Sequence, residues 1–236
     1  TAAYCYILFI VVRKLFLNFE VQEMKEYDDI FLKNGLKNLG VFYPQKEDEY
    51  LSGIKTVVLL GPDEPKFWSV FSASHEFTDC LANPLDRWSL RVVGSIAKEL
   101  LAESYFPFDK KEKYPFVSWA LKTGEAFVSP VHLLVHRKSG LFVSYRGALG
   151  FKKKIAFNTQ SGVSPCRTCP RPCLSSCPAS AINADQYNYS LCTKFLEKSE
   201  KVECHYGCLV RRSCPVGQEK RLIEQSEFHM AAFLKG

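Results

Sequence analysis

Eight of the ten cysteines in this 236-residue chain lie close together in its last third, in a spacing suited to cofactor chemistry. They are Cys166, Cys169, Cys173, Cys177, Cys192, Cys204, Cys208 and Cys214. Thiolate sulfur is a ligand for both iron–sulfur clusters and structural zinc ions. Three cysteines with two or three residues between them can wrap one turn of backbone around one inorganic cube. A fourth cysteine, followed by proline, leaves that turn, so the pattern predicts a metal-binding module.

Two Cys-Pro pairs, Cys177-Pro178 and Cys214-Pro215, close the two halves of this region. In the cysteine run typical of bacterial ferredoxins, the cysteine before proline ligates the other of two clusters. Two such endings indicate that the pattern occurs twice and is crossed. The sequence therefore predicts two 4Fe–4S clusters in a ferredoxin-like module.

Three other interpretations of the cysteines stay open. Disulfides are typical of short secreted chains in an oxidising compartment, and this chain is long. Zinc would favour two Cys-x-x-Cys pairs around a longer loop, whereas only Cys166 and Cys169 have that spacing. Buried thiols without a ligand would not require two Cys-Pro endings. We adopt iron–sulfur ligation, with a zinc-binding module as the remote alternative, and expect Cys5 and Cys80 to be dispensable.

The excess of basic residues is concentrated in the same region as the cysteines. Residues 1–150 hold 18 basic and 18 acidic side chains, whereas residues 151–236 hold 13 basic and 7 acidic ones. Two oxidised clusters with their thiolates carry about four negative charges together, which offsets most of this excess of six. The charge alone is therefore no argument for nucleic-acid binding, although tRNA stays an open alternative partner.

The first dozen residues, Thr1 to Val12, are apolar and are followed by Arg13 and Lys14. The run is too short to span a bilayer, and a signal peptide would carry its positive charges before the apolar run. We interpret residues 1–23 as a leader or upstream extension, with the protein itself starting near Met24. The expected compartment is the cytoplasm, with no membrane association unless this stretch is a truncated anchor.

The elements that must position the cysteines are predicted from hydrophobic periodicity. Helices are expected at Val21–Asn34, Pro65–Phe77, Pro84–Leu100, Phe116–Leu121 and Gly217–Phe233. Asn83 is expected to cap the third helix with its side chain. The positions expected to be buried in the last helix are Leu222, Ile223, Met230 and Phe233. The nearly unbroken apolar run Ile54–Leu60 predicts a buried strand.

A β-hairpin is predicted between the expected helix Phe116–Leu121 and the cysteine region. Its strands are Val131–His136 and Leu141–Arg146, joined by a turn at Lys138–Gly140. On such a strand His132 and His136 would share a face, as two polar surface residues or as a metal pair.

The cysteine module resembles the C-terminal iron–sulfur domain of the epoxyqueuosine reductases and the related corrinoid-dependent dehalogenases. The similar features are Cys192 before an aromatic-rich helix, the pair Gly207-Cys208 and the closing Cys214-Pro215. The resemblance implies one cluster on a first quartet, Cys166, Cys169, Cys173 and Cys214. It implies the other cluster on a second quartet, Cys177, Cys192, Cys204 and Cys208. The spacing departs from the family: three residues, not two, separate Cys169 from Cys173, and Cys204, Cys208 and Cys214 are separated by three and five residues rather than two and three.

A second resemblance covers about a third of the upstream region. Asn83-Pro84-Leu85-Asp86 and the later His136, Gly140, Phe142 and Arg146-Gly147 are similar to positions in cobalamin-processing proteins. That family and the epoxyqueuosine reductases share a nitroreductase-like domain that holds a corrinoid. The resemblance implies that Arg146 and His136 bind a cofactor, cobalamin or flavin, and that Arg146 holds an anionic co-substrate. An ion pair of Arg146 with Asp86 or Glu125 is the alternative.

Together these patterns predict an α/β (α+β) protein with a nitroreductase-like sheet domain followed by a ferredoxin-like two-cluster domain. The boundaries are residues 1–23 for the leader, 24–160 for the sheet domain and 161–236 for the cluster domain, which ends in a helix. Electron transfer is the expected function, with a partner of the flavodoxin or ferredoxin type. The chain is either a reductase that feeds a corrinoid or flavin, hence an oxidoreductase, or a non-enzymatic carrier or adaptor. No catalytic residue is assigned.

Overall fold

The computed structural model describes residues 25–156, 162–198, 202–218 and 221–235. The expected leader, Met24 and Cys5 therefore lie outside the described residues. Within them, helices surround a small antiparallel sheet, which confirms a mixed fold of the α+β type. The nitroreductase-like architecture and the domain boundaries stay predictions. No helix in the described part of the chain is long and apolar enough to cross a membrane.

Four strands form the main sheet in the order β1-β2-β6-β3, and every neighbouring pair is antiparallel. In chain order the strands are β1 Leu36–Phe42, β2 Thr56–Pro62, β3 Glu103–Tyr105, β4 Ala126–Val128, β5 Leu134–His136 and β6 Gly147–Phe151. Strands β4 and β5 pair separately. The expected buried strand is confirmed as β2, which continues through Gly61 and Pro62.

The helices lie on both sides of the main sheet and after it. They are α1 over residues 25–33, α2 Lys66–Ser72, α3 His75–Thr78, α4 Pro84–Glu99, α5 Phe116–Lys122, α6 Tyr189–Glu197, α7 Leu209–Arg212 and α8 Ile223–Lys235. Two short 3-10 helices, Pro172–Leu174 and Glu203–Tyr206, carry cysteines.

Both faces of β2 are buried, which explains why its sequence is a nearly unbroken apolar run. Val58 and Leu60 belong to a core with residues of α1, α2 and α4. Val57 and Leu59 point the other way and belong to a core with residues of α5. Successive side chains of a strand point to opposite faces, so a strand covered on both sides is largely apolar, and the polar side chain of Thr56 donates to the Lys153 carbonyl.

The central strand β6 was not expected because two of its five residues are glycines, which are usually rare in strands. Here the glycines are required by close packing. A Cβ atom at Gly147 would lie 3.0 Å from Val93, and one at Gly150 would lie 2.8 Å from the Tyr105 ring. These positions admit no side chain unless their neighbours shift.

Three helix predictions need correction in detail. The helix expected over Pro65–Phe77 is broken into α2 and α3 at Ala73 and Ser74. Helix α4 begins at Pro84 as expected, but Asn83 is left-handed, with φ of 52°, and its side chain caps nothing. In the last helix the apolar positions Leu222 and Ile223 are exposed, because α8 buries Gln225 and Ser226 instead.

The hairpin predicted over Val131–Arg146 is wrong. β5 is only three residues long and pairs with β4, while residues 141–146 form no strand. His132 has a left-handed backbone with φ of 58°, so it cannot continue a strand into β5 and does not share a face with His136. The predicted turn survives as a single bridge between His136 and Gly140.

The cysteine-bearing segment packs against the sheet region through side chains and hydrogen bonds. Arg211 Nη1 donates to the Leu141 carbonyl at 2.6 Å, and Arg221 Nη2 donates to the Phe142 carbonyl at 2.9 Å. Phe228 of α8 contacts an aromatic group on the sheet side, made of Trp68, Phe71 and Phe77. Residues 141 and 142 therefore lie at the junction between the two regions.

Candidate metal centres

The four cysteines of the first quartet line one small cavity of about 10 Å³. Cys173 lies on the 3-10 helix Pro172–Leu174, and Cys214 follows directly after α7. Both are buried, whereas Cys166 and Cys169 are half-buried. The Arg171 N–H donates to Cys169 Sγ at 3.3 Å, the kind of contact that lowers the electron density on a cluster sulfur.

The four cysteines of the second quartet line a different and larger cavity of about 280 Å³. Cys177 lies in a loop, Cys192 on α6, Cys204 on the 3-10 helix Glu203–Tyr206, and Cys208 precedes α7. All four are half-buried. The first quartet therefore takes two separate pieces of chain and the second takes at least three, and Cys177 and Cys214 each stand with the set distant from them in sequence.

The thiols influence one another within these sets. Burial, followed by the charges of Cys208, Cys177 and Cys204, raises the pKa of Cys192 to about 11. Burial also raises the pKa of Cys166, and Cys169 and Cys214 add to that rise. Four thiolates in one place repel each other, so they need a cation between them, and binding one would release their protons.

The four cysteines of each quartet are a donor set that both a 4Fe–4S cluster and a zinc ion can take. Among the described residues, no group of three or more Cys, His, Asp or Glu side chains is arranged to hold one metal ion. A zinc ion with Zn–S bonds of about 2.3 Å would need its four sulfurs drawn tightly around one point. In a cubane cluster each thiolate binds a separate iron atom, so the sulfurs stand farther apart around a larger core. Eight thiols in two sets of four match two clusters with Cys₄ ligation.

Gly140 packs closely against the first quartet on the side that faces the sheet. Its φ is +56°, and a Cβ atom there would meet the Val216 carbonyl and lie 3.0 Å from Cys214 Sγ. Gly217, with φ of +74°, allows the opposite segment to approach the backbone of Ser139 equally closely. Only residues without a side chain permit this contact between the 138–140 loop and the segment after Cys214.

His136 holds that loop in place from inside the protein. Its side chain is 2% exposed, and burial lowers its pKa to about 4. Nδ1 accepts hydrogen bonds from the N–H groups of Lys138 and Ser139, so Nε2 carries the proton and donates to the Leu39 carbonyl at 3.1 Å. Both ring nitrogens are thus engaged within the chain, and cofactor binding by His136 stays a prediction. His132 lies apart, with Nε2 2.6 Å from the Ala184 carbonyl.

Arg146 has the carboxylate neighbour that the alternative interpretation expected. Its Nη1 lies 3.6 Å from Asp86 Oδ1, and Nε donates to the Tyr145 carbonyl at 3.0 Å. Burial lowers the pKa of Arg146 and raises that of Asp86, and each partly offsets the shift of the other. Glu125 instead pairs with Arg137. Ligand binding by Arg146 stays a prediction.

Sequence reasoning missed a buried charged group beside the second quartet. Arg221 Nη1 lies 3.2 Å from Glu64 Oε1, and both side chains are more than nine-tenths buried. Gln225 Nε2 also donates to Glu64 Oε1, and the Arg221 guanidinium lies 4.8 Å from the Phe142 ring centre. Arg221 and Glu64 each have other polar residues next to them in the sequence, so neither stands out. The weakly helical pattern after Gly217 gave no sign that the polar residues would be buried.

Searches of protein-family models, of curated proteins and of solved structures found no match for this chain. The likenesses to epoxyqueuosine reductases and to cobalamin-processing proteins therefore stay predictions from short motifs.

Proposed function

We propose that this protein is an iron–sulfur redox protein that transfers electrons through two 4Fe–4S clusters, one on each quartet. The observation that carries the proposal is that eight cysteines form two sets of four, each lining its own cavity. Cys₄ ligation is the usual requirement of a 4Fe–4S cluster, and burial with hydrogen bonds to sulfur sets its potential.

Anaerobic reconstitution followed by metal and sulfide analysis tests this proposal. We expect about eight iron and eight sulfide per chain, with a broad visible absorption that bleaches on reduction. Zinc at about two per chain without sulfide would instead establish the zinc-binding alternative. A protein that takes up neither metal would leave the thiols without a cofactor and end both interpretations.

The geometry favours a carrier over a reductase that holds a corrinoid beside the second quartet. Cavities for drug-sized ligands occupy about 300–1,000 Å³, and a corrinoid is larger than such ligands. The cavity beside the second quartet measures about 280 Å³ and must also accommodate the cluster. A corrinoid or flavin bound at Arg146 is therefore the second candidate.

Titration of wild type and Arg146→Ala with cob(II)alamin and with reduced flavin, under argon, separates these candidates. Binding that Arg146→Ala abolishes would favour the reductase. Arg137→Ala is the matched control, because Arg137 pairs with Glu125 and not with Asp86. Absence of binding to wild type would leave the carrier or adaptor.

The partner and compartment follow from this proposal. A two-cluster protein exchanges electrons with a redox protein, here of the flavodoxin or ferredoxin type, and free thiols suit a reducing cytoplasm. A tRNA remains a partner to be tested by filter binding of the reconstituted protein.

A further inference from the structure

The cavity beside the second quartet extends well past the cysteines. Its far wall is formed by α8 residues His229, Met230 and Phe233, and Phe142 contributes from the sheet side. The first quartet, which carries the same four donors, lines a cavity of only about 10 Å³. The two quartets therefore differ greatly in the space beside their cysteines, about 280 Å³ against about 10 Å³.

Arg221 lines this cavity, and among the described residues two of its donor nitrogens make no hydrogen bond. Its side chain is 6% exposed, and Nη2 donates a hydrogen bond to the Phe142 carbonyl. Nη1 lies 3.2 Å from Glu64 Oε1 as an ion pair, which, within the described part of the chain, leaves Nε as the donor with neither a hydrogen bond nor an ion pair. A buried donor on a charged group is costly when left unsatisfied, and a bound acceptor would remove that cost.

Positive charges lie in and near the cavity. Arg211 also lines it, and the positive charges of Arg211 and Arg146 both act on Arg221. The carboxylates described beside these three guanidinium groups are Glu64 and Asp86. This leaves one positive charge in excess without a cluster, whereas a cluster with its thiolates on the second quartet adds about two negative charges. Anion binding here therefore depends on direct contact with Arg221 and not on the net charge.

We propose that this cavity binds a small oxyanion with an apolar body, held by Arg221 next to the second cluster. The proposal rests on the proposed function, because the cysteine wall must carry a cluster for the ligand to lie beside it. Guanidinium groups bind carboxylates and phosphates through charge-assisted hydrogen bonds. The aromatic and thioether side chains of Phe142, Phe233 and Met230 would contact the apolar part.

Calorimetric titration of the reconstituted full chain tests the site, with benzoate, acetate and inorganic phosphate as probes. We expect benzoate to bind more tightly than acetate, because only benzoate reaches the apolar wall. Stronger binding of phosphate than of benzoate would overturn the apolar-body part of the proposal. Benzamide, which has the same shape without the charge, should bind at least about tenfold more weakly than benzoate.

Arg221→Gln should weaken benzoate binding by about tenfold or more, because the charge-assisted contact is lost. The matched control is Arg212→Gln, which removes an exposed arginine that pairs with Glu203 outside the cavity lining. It should leave binding unchanged. Equal binding by Arg221→Gln and wild type, or no binding of the three anions to wild type, would overturn the proposal.

A second measurement does not depend on a variant. Benzoate should relax faster, by proton NMR, in protein whose clusters have been reduced than in metal-free protein, because the reduced second cluster would be paramagnetic and would lie beside it. Unchanged relaxation with bound benzoate would place the anion elsewhere and reject the site. Iron and sulfide are measured first on the same sample. Low iron means that the proposed function fails, whereas full iron without benzoate binding means that the anion site alone fails.

Discussion

The two quartets present the same four thiol donors in opposite surroundings. The first is closed by backbone at Gly140 and Gly217 and encloses about 10 Å³, with Cys173 and Cys214 buried. The second opens into a cavity of about 280 Å³ that other side chains line. The difference teaches that identical sets of donors can have different surroundings: backbone encloses the first quartet, whereas the second adjoins a cavity.

The largest expected effect comes from replacing one cysteine of each quartet in turn. Cys214→Ser should lose the first cluster only and Cys208→Ser the second only, each lowering iron from about eight to about four per chain. Iron analysis with electron paramagnetic resonance identifies the surviving cluster. Cys80→Ser is the control, since Cys80 is exposed and lines neither cavity, and should retain all iron. If Cys214→Ser destroyed the second cluster instead, the two sets would be assigned wrongly.

The next largest effect tests the close contact between the 138–140 loop and the segment after Cys214. Gly140→Ala should destabilise the protein by about 2 kcal/mol or more and lower first-cluster occupancy, because a methyl group meets the Val216 carbonyl at a positive φ. Denaturant unfolding followed by tryptophan fluorescence measures it.

Gly124→Ala is the matched control for Gly140→Ala. Its φ is +69° but nothing lies within 4 Å of the added atom, so it should cost only about 1 kcal/mol. Equal losses of unfolding free energy in the two variants would show that the 138–140 loop is not in tight contact with the segment after Cys214.

Acid should lower the free energy of unfolding through His136, whose ring accepts hydrogen bonds from the 138–140 loop. Its folded-state pKa of about 4 lies below the ordinary value of 6.5, so the folded protein favours the neutral ring. That stability is fully present above pH 6.5 and is lost as the pH falls toward 4. Between pH 7 and pH 5 the loss from this residue is about 2 kcal/mol. Protonation would place a donor at Nδ1, against two N–H groups.

His136→Gln should reduce the difference in unfolding free energy between pH 7 and pH 5 by about 2 kcal/mol. His229 acts in the same direction near the second quartet, since burial and then Arg221 lower its pKa to about 3. A residual acid sensitivity is therefore expected in the variant. An unchanged difference would mean that His136 is protonated in the folded protein.

The smallest effect comes from the ion pair that flanks the loop. Arg137 donates to Glu125 through Nε and Nη2, at 3.1 and 2.8 Å, while both side chains stay partly exposed. Arg137→Gln should cost about 0.5–1 kcal/mol, the range for surface pairs, and leave both clusters in place. A double-mutant cycle with Glu125→Gln isolates the pair. A coupling energy well above that range would show that the Arg137–Glu125 pair helps to hold the 138–140 loop against the first quartet.

The local elements were predictable where one stretch of sequence decides them. The apolar run of β2 and the spacing of Trp88, Val92 and Ile96 in α4 are both confirmed. The hairpin was wrong because the pairing of β6 with β2 is set by distant residues, and its glycines look like strand breakers. Nothing local in Leu222 or Ile223 reveals that α8 turns Gln225 toward Glu64 instead.

The candidate site shows the same division. Cysteine spacing identified the eight thiols, because ligands that share a cofactor are restricted in number and type. The buried Arg221 and the closing contact of Gly140 depend on segments more than 70 residues apart meeting in space. Pairings of that kind are not encoded in any short window of sequence.

The crossed arrangement of Cys177 and Cys214 has a consequence for biosynthesis. A ribosome that has released residues up to Cys177 has exposed four of the eight quartet cysteines, yet these belong to two different sets. The second set is complete only when Cys208 emerges, and the first only at Cys214. On the proposed function, loading of either site is therefore a late event in synthesis, and a nascent chain that stops before Cys208 would offer the cluster-assembly machinery no finished acceptor.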